Sequence, residues 1–359
     1  MSASFDITAS TGVYRVTIAS GLFSETVANL DGAQMLADIF FKDRLAGQAC
    51  DPILIEASET EKSLDRSPAL IERMRAKGMN RQSLLVAVGG GIIQDISAFV
   101  ASVYMRGLTW SYVPTTVLAM VDSCIGGKSS INVGPYKNLI GTYHPPRDIY
   151  IDPTLVKTLP GDQFASGLIE AAKICFCHGT DSFARHLSYE PALAMPAEAF
   201  EKVVVNSLLA KKHFIEVDEF DQKERLLLNF GHTFGHALEG ASHFGIPHGI
   251  AVGLGIECSL AFQSQRGVQV QKCGKVQQLQ QHLSQMIKTL PGLQQQLHAL
   301  DITEVVERFA SDKKHTREHW VLLLVSEEGQ VCLEKLSRTQ DLDRGIRLAI
   351  QTTIETYTH

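Results

Sequence analysis

The stretch Ser83-Leu-Leu-Val-Ala-Val-Gly-Gly-Gly91 runs without a break into Ile92-Ile-Gln-Asp-Ile-Ser-Ala-Phe-Val-Ala-Ser-Val-Tyr104. A short, wholly apolar run predicts a strand buried on both faces, which is the habit of parallel sheets covered by helices. The apolar-periodic segment that begins at once predicts a helix packed on that sheet. Between them, Gly90 and Gly91 lack the Cβ that would keep a ligand off the backbone, and the helix start offers unpaired N–H groups and a positive dipole end. That combination suits a diphosphate. The spacing is not the usual G-x-G-x-x-G, so the placement between strand and helix carries the reading, and a tight turn with no ligand would use the same residues.

Other strands fit the same sheet. Residues 12–18 alternate as a half-buried strand does, residues 34–41 suggest a strand ending near Asp38, and 52–56 is short and apolar. An acidic residue at the end of a nucleotide-domain strand can accept from a ribose hydroxyl, and Asp38 is so placed; capping a loop would suit it equally. Residues 108–116 read as a strand that stops at Pro114 and leaves Thr115 and Thr116 at its carboxyl end, where open α/β sheets bind ligands and where threonines also cap helices. Asp122 falls on the next helix. Lys128 after two glycines, then Lys137 and Asn138, suggest a loop shaped for an anion, although solvated surface lysines would look the same.

At 359 residues the chain exceeds what one core usually serves. The prolines of Asp152-Pro-Thr-Leu-Val-Lys-Thr-Leu-Pro160 mark the expected boundary, giving domains 1–160 and 161–359. Beyond it, helices are predicted near 162–178, 194–216, 223–240, 249–266, 270–290 and 302–311, with a small hairpin from 320–325 and 330–333. The fold class expected is an α/β Rossmann-like N-terminal domain followed by an all-α C-terminal domain. A net charge of −6 gives no general attraction to nucleic acid or anionic membrane. Seven cysteines, Cys50 among them, form no C-x-x-C framework and point to a reducing compartment. Cys175 and Cys177, two residues apart on a helix, face different ways and read as core. With no signal-like N-terminus and no apolar run approaching about 20 residues, the expected location is the cytoplasm.

In the helical half, His232 and His236 stand four apart and project from one helical face, and His248 follows a Gly/Pro turn. Imidazole is the commonest side-chain metal ligand, and three protein ligands with an open position is the catalytic pattern for zinc. Glu170 is a candidate carboxylate partner, although Glu170 and Lys173 at i, i+3 would also make an ordinary surface ion pair. Arg225, Asn229, His232 and His236 recur at spacings of four, three and four, which on one helix gives a polar face unsuited to a core. Arg225 with Lys211 would favour an anionic substrate, and Lys313 and Lys314 add a further basic group.

Taken together and in order, these motifs resemble those of the 3-dehydroquinate synthase family of sugar-phosphate cyclases. The resemblance rests on Glu59-x-x-Lys62, Gly89-Gly-Gly91 with Asp95, Tyr104-Met-Arg-Gly107, Val113-Pro-Thr-Thr116, Asp122, Gly126-Gly-Lys128, Lys137-Asn138, Glu170-x-x-Lys173, Lys211, Arg225 and Asn229-Phe-Gly-His-Thr-Phe-Gly-His236. It implies NAD held by the first domain, with Asp38, Glu59, Lys62, Gly90, Gly91, Asp95, Thr115, Thr116 and Lys137 around it. It implies Zn²⁺ or Co²⁺ bound by Glu170, His232 and His248, with His236 facing substrate. Lys128, Asn138 and Asn229 would hold phosphate, Lys211 and Arg225 a carboxylate, and Asp122 and Lys173 would orient hydroxyls. Arg106 would reach a partner's site in a homodimer.

Three features depart from the family pattern: Gly167-Leu-Ile-Glu170 in place of Gly-x-Ala-Glu, residues 134–136 in place of Pro-Leu-Gly, and Asp221 where Glu is usual. They border the expected site and bear on substrate identity. Related cyclases act on sugar phosphates without a carboxylate, and a metal-dependent alcohol or glycerol dehydrogenase is a second alternative. Retention of Arg225, Asn229 and His236 favours a carboxylate-bearing substrate, 3-deoxy-D-arabino-heptulosonate 7-phosphate.

Overall fold

The computed structural model describes residues 2–29, 32–47, 51–134 and 136–358; Cys50 and Pro135 lie outside them. In chain order the regular elements are β1 (Ser2–Ala9), β2 (Gly12–Ala19), α1 (Leu22–Ala28), β3 (Gln34–Asp38), β4 (Ile53–Ile55), α2 (Ser67–Ala76), β5 (Leu84–Gly89), α3 (Gly91–Val103), β6 (Thr109–Pro114), β7 (Ile131–Val133), β8 (Tyr136–Ile140) and β9 (Asp148–Ile151). They continue with α4 (Gly161–His178), α5 (Thr180–Ser188), α6 (Ala197–Val217), α7 (His232–Ala241), α8 (His248–Gln265), α9 (Gly274–Ile287), α10 (Leu293–His298), α11 (Ile302–Ala310), β10 (His319–Val325), β11 (Val331–Ser337) and α12 (Gln340–Thr358).

The chain divides into two compact units, residues 1–159 with 196–220, and residues 160–195 with 221–359. A single cut near residue 160 does not describe this division. Helix α6 returns to the sheet unit, where the Ser207 hydroxyl donates to the Val121 carbonyl (2.8 Å) and Glu216 accepts from the Thr8 amide (3.0 Å).

The sheet unit is built on seven strands in the order β1-β2-β9-β6-β5-β3-β4. From β2 to β4 every neighbour is parallel, and only the β1–β2 hairpin is antiparallel. Strand β5 lies inside the sheet and its residues from Leu85 onward are buried, as its unbroken apolar run requires. Parallel register sets the carboxyl ends of four strands at one edge: Asp38 pairs with Ile55, Ala37 with Val88, and Gly89 with Pro114. Asp38 ends β3, and the Glu59–Lys62 turn, Gly90 with Gly91, and Thr115 with Thr116 follow the ends of β4, β5 and β6. Lys137 and Asn138, expected in a loop, lie instead on β8 of a two-stranded hairpin with β7.

The second unit is helical apart from the antiparallel β10–β11 hairpin. The helix expected over 223–240 is two pieces: a 3-10 turn over Glu224–Asn229, then α7 from His232. Gly231 separates them at φ 80°, a left-handed conformation in which a Cβ would also meet Ile256 Cγ1 at 2.6 Å. Among the described residues no helix is long and apolar enough to cross a membrane.

Candidate functional site

In the helical unit, α7, α8 and α4 meet where side chains are smallest. A Cβ on Gly235 of α7 would lie 2.8 Å from the Ala251 carbonyl of α8, and one on Gly249 of α8 would lie 2.7 Å from Ser166 Oγ of α4. Glycine lets these backbones touch, and the Gly249 amide donates to Ser166 Oγ (2.8 Å). The contacts bring His248, the first residue of α8, beside Glu170, one turn beyond Ser166, and beside His232 and His236 of α7. Ring centroids of His232 lie 5.1 Å from His236 and 5.3 Å from His248, and one ligand atom of each histidine falls within 4.8 Å of the others.

Glu170 is fully buried rather than a surface partner of Lys173. Its Oε2 faces the Lys173 ammonium, itself 2% exposed, while Oε1 has no hydrogen-bond partner. That oxygen is 3.5 Å from His248 Nε2 and 3.7 Å from His232 Nε2. The other nitrogen of each ring is engaged, His232 Nδ1 with the Phe230 carbonyl (3.3 Å) and His248 Nδ1 with Glu239 Oε2 (3.1 Å). An unsatisfied buried carboxylate oxygen is costly, and here it shares a focus with two imidazole nitrogens. The donor set fits a divalent cation of the Zn²⁺ or Co²⁺ type.

Electrostatics separate the three histidines. Burial, then the Lys173 charge, holds His232 well below the usual imidazole range, in the neutral form a ligand needs. Burial acts in the same direction on His248 but is outweighed by the bond to Glu239 and the charges of Glu239 and Glu170, so its pKa is raised. His236 keeps one side open to solvent, yet the surrounding protein, with His248 next, pushes it down to about 4. Lys314 acts on His236 from within its Asp312 ion pair (2.7 Å), whereas Lys313 is exposed. Arg225 is buried and Asn229 half-buried on the 3-10 turn, so the four-residue face of one continuous helix does not exist. Asp221 stands at φ 59°.

In the sheet unit, Gly89 and Gly90 are explained by the chain's own packing: a Cβ would lie 2.5 Å from Ile93 Cγ1 and 2.8 Å from Thr116 Cγ2 respectively. Gly91 differs, since the nearest atom to its Cβ position, Ser123 Oγ, is 3.9 Å away. Space is therefore kept at the first residue of α3, where helix N–H groups have no intrahelical acceptor, and this fits a bound dinucleotide. Several residues expected around it pair with one another. Lys62 Nζ is 2.6 Å from Asp95 Oδ2, and Asp95 Oδ1 accepts from the Ser130 amide (3.1 Å). Glu59 accepts from Asn132 (2.9 Å) and lies 3.3 Å from Lys137, and Lys211 donates to Asp122 (2.5 Å). Asp38 caps its own turn through the Phe40 amide, and Thr116 Oγ1 accepts from the Ala119 amide. Asn138 (φ 52°) meets the Ser130 hydroxyl at 2.9 Å, while Lys128 is exposed and Arg106 is exposed at φ 72°. Cys124 and Cys175 are buried as core residues, whereas Cys177 is half-buried with its thiol donating to the Leu227 carbonyl (3.3 Å); burial pushes the thiols of Cys124 and Cys177 up to about 12.

The family descriptions "3-dehydroquinate synthase N-terminal" and "3-dehydroquinate synthase C-terminal" match residues 52–166 and 167–315. A 3-dehydroquinate synthase of Streptococcus pyogenes serotype M18 (strain MGAS8232) is 32% identical over 271 residues, which are 75% of this chain and 73% of that one. The chain belongs to the 3-dehydroquinate synthase family. Two solved structures show how widely this family's fold is shared. A 2-deoxy-scyllo-inosose synthase, complexed with carbaglucose-6-phosphate, NAD⁺ and Co²⁺, superposes with a TM-score of 0.83 at 21% identity over 98% of this chain and 99% of that one. A 2-epi-5-epi-valiolone synthase from Streptomyces hygroscopicus subsp. jinggangensis 5008, with NAD⁺ and Zn²⁺ bound, gives 0.78 at 23% identity, covering 96% and 97%. Glu239, which bonds His248, has no role in the sequence-based expectations. Its spacing of three from His236 and seven from His232 was the available signal.

Proposed function

We infer that the protein is a 3-dehydroquinate synthase, an NAD- and metal-dependent lyase that converts 3-deoxy-D-arabino-heptulosonate 7-phosphate to 3-dehydroquinate and phosphate. The observation that carries the reading is the buried Glu170 oxygen, unbonded and facing Nε2 of both His232 and His248, in a chain of this family. The relatedness to cyclases solved with NAD⁺ and Co²⁺ or Zn²⁺ supports both cofactors.

Glu170, His232 and His248 would hold the metal; Gly90, Gly91, Asp38, Thr115 and Thr116 at the carboxyl edge of the sheet would hold NAD, with Lys62, Asp95, Glu59 and Lys137 bracing the neighbouring turns. When bound, the cation supplies Lewis acidity to a substrate hydroxyl, and NAD takes up a hydride and returns it. Lys173 orients the Glu170 carboxylate by direct pairing. Asp122, held by Lys211, orients a hydroxyl. His236, neutral at pH 7, can accept a proton and pass it on. Lys128, Asn138 and Asn229 would bind the phosphate that leaves by elimination, while Lys211 and Arg225 would bind the substrate carboxylate. Arg106 would serve the site of a partner in a homodimer, and the enzyme would work in the cytoplasm.

The test is phosphate release by protein supplied with NAD and Zn²⁺, given the seven-carbon keto-acid phosphate, sedoheptulose 7-phosphate or glucose 6-phosphate in separate reactions, with absorbance followed for NADH. Release from the keto-acid alone, without accumulation of NADH, is the expected result. Release from a carboxylate-free sugar phosphate would assign another cyclase activity, and net accumulation of NADH without phosphate release would assign a dehydrogenase.

A further inference from the structure

An imidazole can offer either nitrogen to a metal, and the nitrogen offered is the one without the proton. In His248 the two nitrogens face different groups: Nε2 is 3.5 Å from Glu170 Oε1, and Nδ1 is 3.1 Å from Glu239 Oε2. A carboxylate only accepts, so the pairing with Glu239 requires a proton on Nδ1, and Nε2, turned toward Glu170, is the nitrogen left to offer a metal. Glu239 lies on α7 and His248 opens α8, so the bond also fixes the ring against rotation at the end of a helix. His232 reaches the same tautomer through a backbone carbonyl, a partner no side-chain change can remove.

We propose that Glu239 is the positioning residue of the metal centre: it sets the tautomer and ring orientation of His248, so that loss of its carboxylate weakens metal binding without removing any ligand. The inference rests on the reading of His248 as a ligand. Partners of this kind typically contribute about 10- to 100-fold to metal affinity.

The experiment compares wild type with Glu239→Ala, Glu239→Gln and Glu170→Ala, each stripped with chelator and titrated with Co²⁺ against a chromophoric competitor while the visible d–d spectrum is recorded. Long-range ¹H–¹⁵N spectra of the metal-free proteins, recorded at alkaline pH where the His248 ring is neutral, read its tautomer. Glu239→Ala should bind Co²⁺ about 10- to 100-fold more weakly, with an altered spectrum and loss of the pure Nδ1–H form. Glu239→Gln, which keeps a carbonyl acceptor, should restore the tautomer and the spectrum and recover part of the affinity. Unchanged affinity, spectrum and tautomer in Glu239→Ala, with Glu170→Ala losing the metal, would overturn the role of Glu239 alone. Wild type that fails to bind Co²⁺ would overturn the metal centre itself. A Glu239→Ala protein that does not fold leaves the decision to Glu239→Gln, which should keep the Nδ1–H form yet bind Co²⁺ more weakly than wild type; wild-type affinity in that variant would overturn the proposal.

Discussion

Each unit of the molecule contains a lysine–carboxylate pair whose lysine is buried, Lys62–Asp95 in one and Lys173–Glu170 in the other, and these two are finished differently. In the sheet unit Lys62 meets Asp95, whose second oxygen accepts from the Ser130 amide. In the helical unit Lys173 meets Glu170, whose second oxygen has no hydrogen bond and faces two imidazole nitrogens. A buried carboxylate with both oxygens engaged is structural reinforcement. One with an oxygen left over has room for a cation. Both pairs set a buried ammonium against a carboxylate, Glu170 being the more deeply buried acid, and they differ in whether the donors and acceptors balance.

Breaking the open pair should have the largest effect. Glu170→Ala should release the metal and lower turnover by about 10³-fold or more, since a metal supplies several kcal/mol of charge stabilisation; metal content by mass spectrometry alongside phosphate release checks this. Breaking the closed pair should act on stability instead. Lys62→Met strands the Asp95 charge in its buried setting and should cost about 3 kcal/mol in urea unfolding, with metal content unchanged.

Acid should act on the helical unit, through His186 on α5 and His282 on α9. These rings lie 5.3 Å apart, both His186 nitrogens lack partners, and burial pushes the pair down to about 3 and about 4. Above pH 6.5 both are neutral whether folded or not, so they add no pH dependence there. As pH falls below 6.5 the unfolded chain takes up protons that the folded protein refuses, and stability drops by on the order of 2 kcal/mol for each histidine at pH 5. His186→Phe should flatten the urea midpoint between pH 7 and 5; an unchanged slope would remove His186 as the cause.

The smallest effect is expected from Lys211→Ala, which should keep the metal and raise KM by roughly tenfold, the loss of one charge-assisted contact of about 1.4 kcal/mol. Equal metal loss in Lys211→Ala and Glu170→Ala would mean that the ligand set is misassigned.

Much of the sheet unit was readable because its signals are local. The apolar run of β5, its glycines and the helix start of α3 are consecutive, and strand ends with turn residues mark one carboxyl edge. Strand β1, which buries only Ile7, lies outside the expected elements, and so does helix α12, although its buried Ile346, Ala349, Ile350, Ile354 and Tyr357 keep a helical spacing. The face drawn through Arg225, Asn229, His232 and His236 failed for a local reason as well, because Gly231 adopts a left-handed conformation that ends one turn and starts another.

By itself the sequence determined which donors are available: the histidine spacing on α7, the Glu170–Lys173 pair, the strand-to-helix glycines and the family they form together. Only tertiary structure decided which of them are engaged. Lys62, Asp95, Glu59 and Lys137 are spent largely on one another, whereas Gly235 and Gly249 let α7 and α4 close on α8 until Glu170, His232 and His248 share one focus. Spacing along a chain fixes the face from which a side chain leaves. Whether its polar atoms meet partners depends on contacts between elements distant in sequence, and that balance decides what a buried charge can bind.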